Sequence, residues 1–159
     1  MTIKIGDTIP SCQLACMKDG IQSLSTTEIF AGKKVVLFSV PGAFTPTCSA
    51  KHLPGFIEQA EAFKAKGVDL VACVSVNDVF VMDAWGKNQN VGEAVMMLAD
   101  GNGEFAQALG LEMDATGFGM GHRGQRFALI AEDGKVTALN IEAPGEFRVS
   151  SAEAMLDVL

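Results

Sequence analysis

The apolar positions of this chain fall into short uncharged runs separated by mixed stretches with helical spacing. Residues 35–40 (VVLFSV) follow two lysines and precede Pro41-Gly42. Such a short, β-branched, uncharged run predicts a strand buried on both faces. Residues 69–76 (DLVACVSV) and 94–99 read the same way. Residues 126–131 and 135–141 are two more strands, joined by Asp133-Gly134, a strong hairpin signal. Residues 45–66 carry Ile57, Ala60, Phe63 and Ala65 among Glu58, Glu61 and Lys64, a helical pattern that Pro54-Gly55 is expected to kink or restart. Asn77-Asp78 predicts the cap of a helix running to about residue 87, and a turn at residues 100–103 precedes a short helix over 104–109. Ser150-Ser151 caps a last helix over 152–159, with Glu153 in its first turn. Near the N-terminus, Gly6-Asp7 and Lys18-Asp19-Gly20 flank the apolar residues 12–17, predicting a β-hairpin.

The order is a β-hairpin, then β-α-β-α, then β-α-β-β-α. It predicts an α/β fold over residues 1–159 as one domain, a thioredoxin-like three-layer sandwich. A mixed central sheet would carry helices on both faces and an N-terminal hairpin. Chemistry in such folds gathers where a strand's C-terminal end meets a helix N-terminus, and Cys48 falls at such a junction.

Composition narrows the function. Of 159 residues, 48% are hydrophobic and 19% charged, a globular balance. A net charge of −7 argues against nucleic acid or an anionic membrane as main partner. No apolar run reaches the ~20 residues of a membrane helix. The first ten residues, MTIKIGDTIP, lack the apolar core of a signal peptide, so a cytoplasmic protein with reduced thiols is expected. Cys12 and Cys16, if both in a strand, would lie roughly 13 Å apart, too far for a disulfide. Cys48 and His52 share i,i+4 spacing, but no further Cys/His pair has ligand spacing, so no metal is expected.

The segment PGAFTPTC (residues 41–48) holds the candidate chemistry. With Thr45 as N-cap, Pro46 occupies the first helical position, where its missing N–H costs nothing. Free N–H groups and the helix dipole then favour an anion, so Cys48 is expected to react as a nucleophilic thiolate. The Thr45 hydroxyl is placed to hydrogen-bond the thiolate or an incoming oxygen, and Pro41 stiffens the approach without adding a competing N–H. A buried core thiol is the plain competing reading for any cysteine. The loop GFGMGHRG (residues 117–124) fits GxGxxG at Gly119, Gly121 and Gly124, but it neither follows a strand nor opens a helix, so it reads as a mobile loop over the site.

PGAFTPTC resembles the PxxxTxxC signature of peroxiredoxins. The stretches HLPGF (52–56), KGVDLVACVSVND (66–78), VMDAWG (81–86), GMGHRGQRFAL (119–129) and EFRVSSAEAML (146–156) are similar to the type II, peroxiredoxin-five-like group of the AhpC/TSA–Redoxin superfamily. The resemblance implies a thiol-dependent peroxidase for hydrogen peroxide and alkyl hydroperoxides, without a cofactor, with Cys48 as peroxidatic nucleophile and Thr45 bonding the peroxide. The amides of Thr47 and Cys48 would stabilise the leaving oxygen. The family's active-site arginine maps to Arg126, with Arg123 as the competing choice. His52 is a structural or supporting residue, and Phe44, Phe118 and Met120 are candidates for an apolar wall. Cys73 matches a second cysteine of plant type II enzymes, but its mid-strand place favours a structural role. Ser150-Ser151 stands where animal relatives carry a resolving cysteine. The expected reductant is therefore external, glutathione with glutaredoxin or thioredoxin, and the expected assembly a homodimer. A redox sensor passing oxidation from Cys48 to a partner protein, or a thiol–disulfide oxidoreductase, are the alternatives; the missing CxxC weighs against the latter.

Overall fold

The computed structural model describes residues 2–159. Its strands are β1 (Gln13–Met17), β2 (Ile21–Ser25), β3 (Lys34–Ser39), β4 (Leu70–Ser75), β5 (Met96–Ala99), β6 (Glu112–Asp114), β7 (His122–Gly124), β8 (Phe127–Glu132) and β9 (Lys135–Ile141). Its helices are α1 (Thr26–Phe30), α2 (Leu53–Glu58), α3 (Ala60–Ala65), α4 (Val79–Asn88), α5 (Glu104–Leu109) and α6 (Ala152–Asp157). Seven strands form one mixed sheet in the order β2-β1-β5-β4-β3-β8-β9. The three central strands β5, β4 and β3 are parallel, and a hairpin closes each edge antiparallel to them.

The pleat sorts the core. Successive strand residues point to opposite faces, so Val36 and Phe38 of β3, Val71 and Cys73 of β4, and Ala128 and Ile130 of β8 pack on one side. That side is covered by Leu53, Phe56, Phe63, Met82, Trp85 and Met155 of α2, α3, α4 and α6. Val35, Leu37, Ala72, Val74, Phe127 and Leu129 face the other side, under Ile29, Phe30, Phe105 and Leu109 of α1 and α5. Both faces are thus buried, which is why the central strands read as continuous apolar runs.

Three expectations change. Residues 26–30 form a helix that the hydrophobic pattern does not reveal. Its signal is the capping box of Ser25 and Glu28, in which Ser25 Oγ accepts from Glu28 N while Glu28 Oε1 accepts from Ser25 N. The helix expected over 45–66 restarts at Leu53-Pro54, as the proline predicts, and is broken a second time at Gln59 (φ −95°, ψ 9°). Pro54 sits in the first turn of α2, where it is tolerated. Before it, Cys48–His52 is a wide turn in which Leu53 N donates to Cys48 O, five residues back. The Gly-rich segment is no free loop: β6 and β7 pair antiparallel, and Ala115 N donates to Gly121 O inside the connection.

Three aromatic rings extend from the sheet into the helical layer. Phe38 stacks on Phe56 at 4.0 Å between centroids, and Phe56 on Phe63 at 5.5 Å. All three are fully buried. Phe56→Ala is expected to lower unfolding free energy by about 3–5 kcal/mol. Urea unfolding checks this; a loss below about 1 kcal/mol would show that the stack does not hold α2 to the sheet.

Candidate active site

β3 ends at Ser39, and the chain turns over residues 41–45 before helical backbone begins at Pro46. Ala43 N donates to Asn77 Oδ1 at 3.0 Å, which ties this turn to the start of α4. A Cβ on Gly42 would lie 3.0 Å from Met120 Cε and 3.3 Å from an Arg123 guanidinium nitrogen, so glycine permits this close approach. Phe44 takes φ +65°, a left-handed conformation that strains an aromatic residue by about 1–3 kcal/mol. The Thr45 carbonyl accepts the first helical bond, from Ser49 N at 2.9 Å, as an N-cap should. Its hydroxyl does not cap. It donates to Gly42 O at 2.7 Å, closing the turn locally. A hydroxyl has one proton and two lone pairs, so what Thr45 still offers is an acceptor. Among the described residues, the amides of Thr47 and Cys48 make no hydrogen bond to protein.

Cys48 is fully buried in the same cluster as Phe38, Phe56 and Cys73. It is nevertheless no ordinary core thiol. Arg126, the residue just before β8, donates from Nη2 to Cys48 Sγ at 3.1 Å. A guanidinium in an apolar cluster is costly unless it meets an anion or a strong acceptor. Arg126 has a second anchor, His52 Nδ1, 2.8 Å from its Nη1. His52 Nε2 lies 2.9 Å from Ser150 O.

This chain of contacts fixes the imidazole tautomer. A guanidinium has only donors and a carbonyl only accepts. Nδ1 must therefore accept from Arg126, and Nε2–H must donate to Ser150 O. His52 is neutral, and burial, then the adjacent Arg126 charge, pushes its pKa down to about 3 from an ordinary 6.5. Its ring packs against Phe38 at 4.8 Å and Phe147 at 4.9 Å between centroids. The Cys48–His52 spacing thus serves one guanidinium, with both residues touching Arg126.

The remaining candidates separate clearly. Arg123 does not reach the sulfur. Its Nε donates to Met120 O at 2.8 Å and its Nη1 approaches Pro41 O at 3.5 Å, so it pins the β6–β7 hairpin to the cysteine turn. Met120 is half-buried above Gly42, and the Phe44 ring, 51% exposed, stands 6.4 Å from Trp85. Phe118 packs on no wall within a single copy of the chain. It lies in a three-residue turn at the hairpin tip and is 83% exposed. Cys73 is buried mid-strand, and burial pushes its thiol well above the ordinary value. Cys12 and Cys16 lie with the other cluster, and burial raises both. All four cysteines are free, and Cys48 alone has a guanidinium on its sulfur. Sequence reasoning missed that Phe147 and the Ser150 carbonyl belong to the site, because neither carries a chemical signature.

Among the described residues no helix is long and apolar enough to cross a membrane. The Redoxin family profile matches residues 4–156. The chain is 52% identical to Peroxiredoxin-2B of Arabidopsis thaliana and 54% identical to Peroxiredoxin-2C of rice (Oryza sativa subsp. japonica), each alignment covering 99% of this chain and 98% of the relative. Among solved structures, reduced Prx3 of Vibrio vulnificus in complex with hydrogen peroxide superposes with a TM-score of 0.95 at 57% identity, over 99% of both chains.

The buried neutral histidine has a measurable consequence. Below pH 6.5 the unfolded chain takes up a proton at His52 that the folded chain refuses until about pH 3. The unfolded state then binds more protons, so stability falls as pH drops through that window. Urea unfolding across it should show wild-type stability declining about 1.4 kcal/mol per pH unit more steeply than in His52→Asn. Parallel slopes would show that His52 is protonated in the folded protein.

Proposed function

The chain belongs to the Redoxin family and is a peroxiredoxin, a thiol-dependent peroxidase; on that premise we propose that Cys48 is its peroxidatic nucleophile and Arg126 the charge that activates it. The observation that carries this reading is the 3.1 Å contact from Arg126 Nη2 to Cys48 Sγ inside an apolar cluster. A fixed positive charge against the sulfur stabilises an anion there by direct attraction, which low polarity strengthens.

In the proposed reaction the sulfur anion attacks the terminal oxygen of a hydroperoxide. The S–O bond forms as the O–O bond breaks, giving a sulfenic acid on Cys48 and an alkoxide or hydroxide that takes a proton and leaves as alcohol or water. Thr45 Oγ, its own proton held by Gly42 O, accepts a hydrogen bond from the hydroperoxide. The unpaired amides of Thr47 and Cys48, with the second face of the Arg126 guanidinium, meet the charge developing on the leaving oxygen. Pro41, Phe44 and Met120 border the entrance.

Recycling is proposed to use an external thiol, from glutathione with glutaredoxin or from thioredoxin. That thiol displaces water from the sulfenic acid to give a mixed disulfide, and a second thiol releases Cys48. Ser150 supports this reading, because the serine at the animal resolver's position is buried and engaged in hydrogen bonds. Cys73 supports it too, since its burial keeps it from reacting without local opening. The reading includes a cytoplasmic location, in keeping with four free thiols. It also includes a homodimer, favoured by the exposed Phe80 in the first turn of α4 and the exposed Phe44 near Trp85 of the same helix.

Cys48→Ser is expected to abolish peroxide consumption with every reductant, measured with glutathione alone, glutathione plus glutaredoxin, and thioredoxin. A Cys48→Ser protein consuming peroxide at the wild-type rate would refute the nucleophile. Cys73→Ser, with urea unfolding confirming that it is folded because a hydroxyl in this buried apolar place costs stability, is expected to retain turnover with at least one reductant. Loss of turnover with all three would make Cys73 the resolving thiol.

A further inference from the structure

The contacts that hold Arg126 do not end at His52. Glu142 follows directly after β9, and its backbone N donates to Arg126 O at 3.0 Å. Its side chain is only 6% exposed. One carboxylate oxygen, Oε2, accepts four hydrogen bonds: from Arg148 N at 2.8 Å, Val149 N at 2.9 Å, Ser150 N at 2.8 Å and Ser150 Oγ at 2.7 Å. Three consecutive amides therefore converge on a single anion. Burial acts to raise this carboxyl, but the bonds from Ser150, Arg148 and Val149 outweigh it and hold the group below the usual carboxylate range.

A peptide N–H is coplanar with the carbonyl of the residue before it, so the bonds to the amides of residues 148–150 orient the carbonyls of residues 147–149 and hold this stretch of backbone in place. The Ser150 carbonyl belongs to the next peptide plane; Glu142 holds its residue by both amide and hydroxyl, and the carbonyl oxygen, borne one carbon beyond the same Cα, lies 2.9 Å from His52 Nε2. Phe147, inside the same segment, packs on the His52 ring and lies 5.8 Å from the Arg126 guanidinium carbon. His52, held at both nitrogens, fixes Arg126 Nη1, which leaves Nη2 on the sulfur.

We propose that Glu142 is a positioning residue of the peroxidase reaction, acting through the Ser150 carbonyl and the His52 imidazole to hold the Arg126 guanidinium against Cys48. The inference rests on the reading of Cys48 and Arg126 given above. Glu142 touches neither sulfur nor peroxide. A flexible arginine anchored only at its sulfur contact samples many rotamers, and misplacing it removes charge from the reacting atoms. The alternative is that Glu142 only closes the segment between β9 and α6 and matters for folding alone.

A double-mutant cycle separates the two. The second-order rate of peroxide reduction is measured for wild type, Glu142→Gln, His52→Asn and the double variant, with urea unfolding confirming that each is folded at the assay temperature. Glu142→Gln is expected to slow the reaction on the order of tenfold or more. In the His52→Asn background the same change is expected to slow it by less than about twofold, since the route through His52 is already cut. A wild-type rate in folded Glu142→Gln, or an equal slowing in both backgrounds, would overturn the proposal. Should Glu142→Gln not fold, Ser150→Ala takes its place in the cycle, with the same two outcomes. Arg126→Lys, measured alongside, gauges the premise. A wild-type rate there would overturn the reading of the site itself, and the inference with it.

Discussion

One contact organises this molecule: a part-buried guanidinium set at 3.1 Å against the sulfur of a fully buried apolar cluster. Arginine is poorly suited to such a place, and everything around it serves to make the placement tolerable. The sheet does the first part. β3 and β8 run antiparallel with Ser39 opposite Phe127, so the C-terminal end of one meets the N-terminal start of the other. Cys48 enters just after β3 and Arg126 stands just before β8, which brings together residues 78 apart in sequence. The helical layer does the second part. The wide turn over Cys48–His52 gives both residues access to the same side chain.

The pleat also decides which thiols share that environment. Cys73 lies opposite Phe38 in the β3–β4 register and faces the same cluster as Cys48. Cys16 belongs to the cluster across the sheet, and Cys12 packs against that cluster from its margin. Four thiols in one small protein are therefore not equivalent, and the difference follows from strand parity and one arginine rather than from their neighbours in sequence.

Much of this is legible in the chain itself, where local chemistry carries the signal. The buried strands show as uncharged β-branched runs, the caps at Asp78 and Ser151 as polar residues before helical periods, and Cys48 as a thiol at a helix start after Pro41 and Thr45. The illegible parts are long-range polar contacts. Nothing in sequence says that the Thr45 hydroxyl turns back to Gly42, or that Glu142 gathers the amides of 148–150. Arg123 and Arg126 look alike on paper; the three-residue offset places one on the Met120 carbonyl and the other on the sulfur. Phe118 shows the converse, an aromatic residue suggested by the motif that one copy of the chain leaves largely exposed.

The neutrality of His52 shapes the electrostatic balance of the catalytic cycle. With the histidine uncharged, Arg126 is the cation that faces the Cys48 sulfur, and the proposed reaction starts from an anion on that sulfur. Peroxide converts that sulfur to an uncharged sulfenic acid. The part-buried guanidinium then keeps His52 Nδ1 on Nη1 but no longer faces an anion at Nη2. On the proposed chemistry, oxidation thus weakens the attraction that holds sulfur and arginine together, and the same arginine that prepares the sulfur for attack holds the product less firmly when the outside thiol arrives.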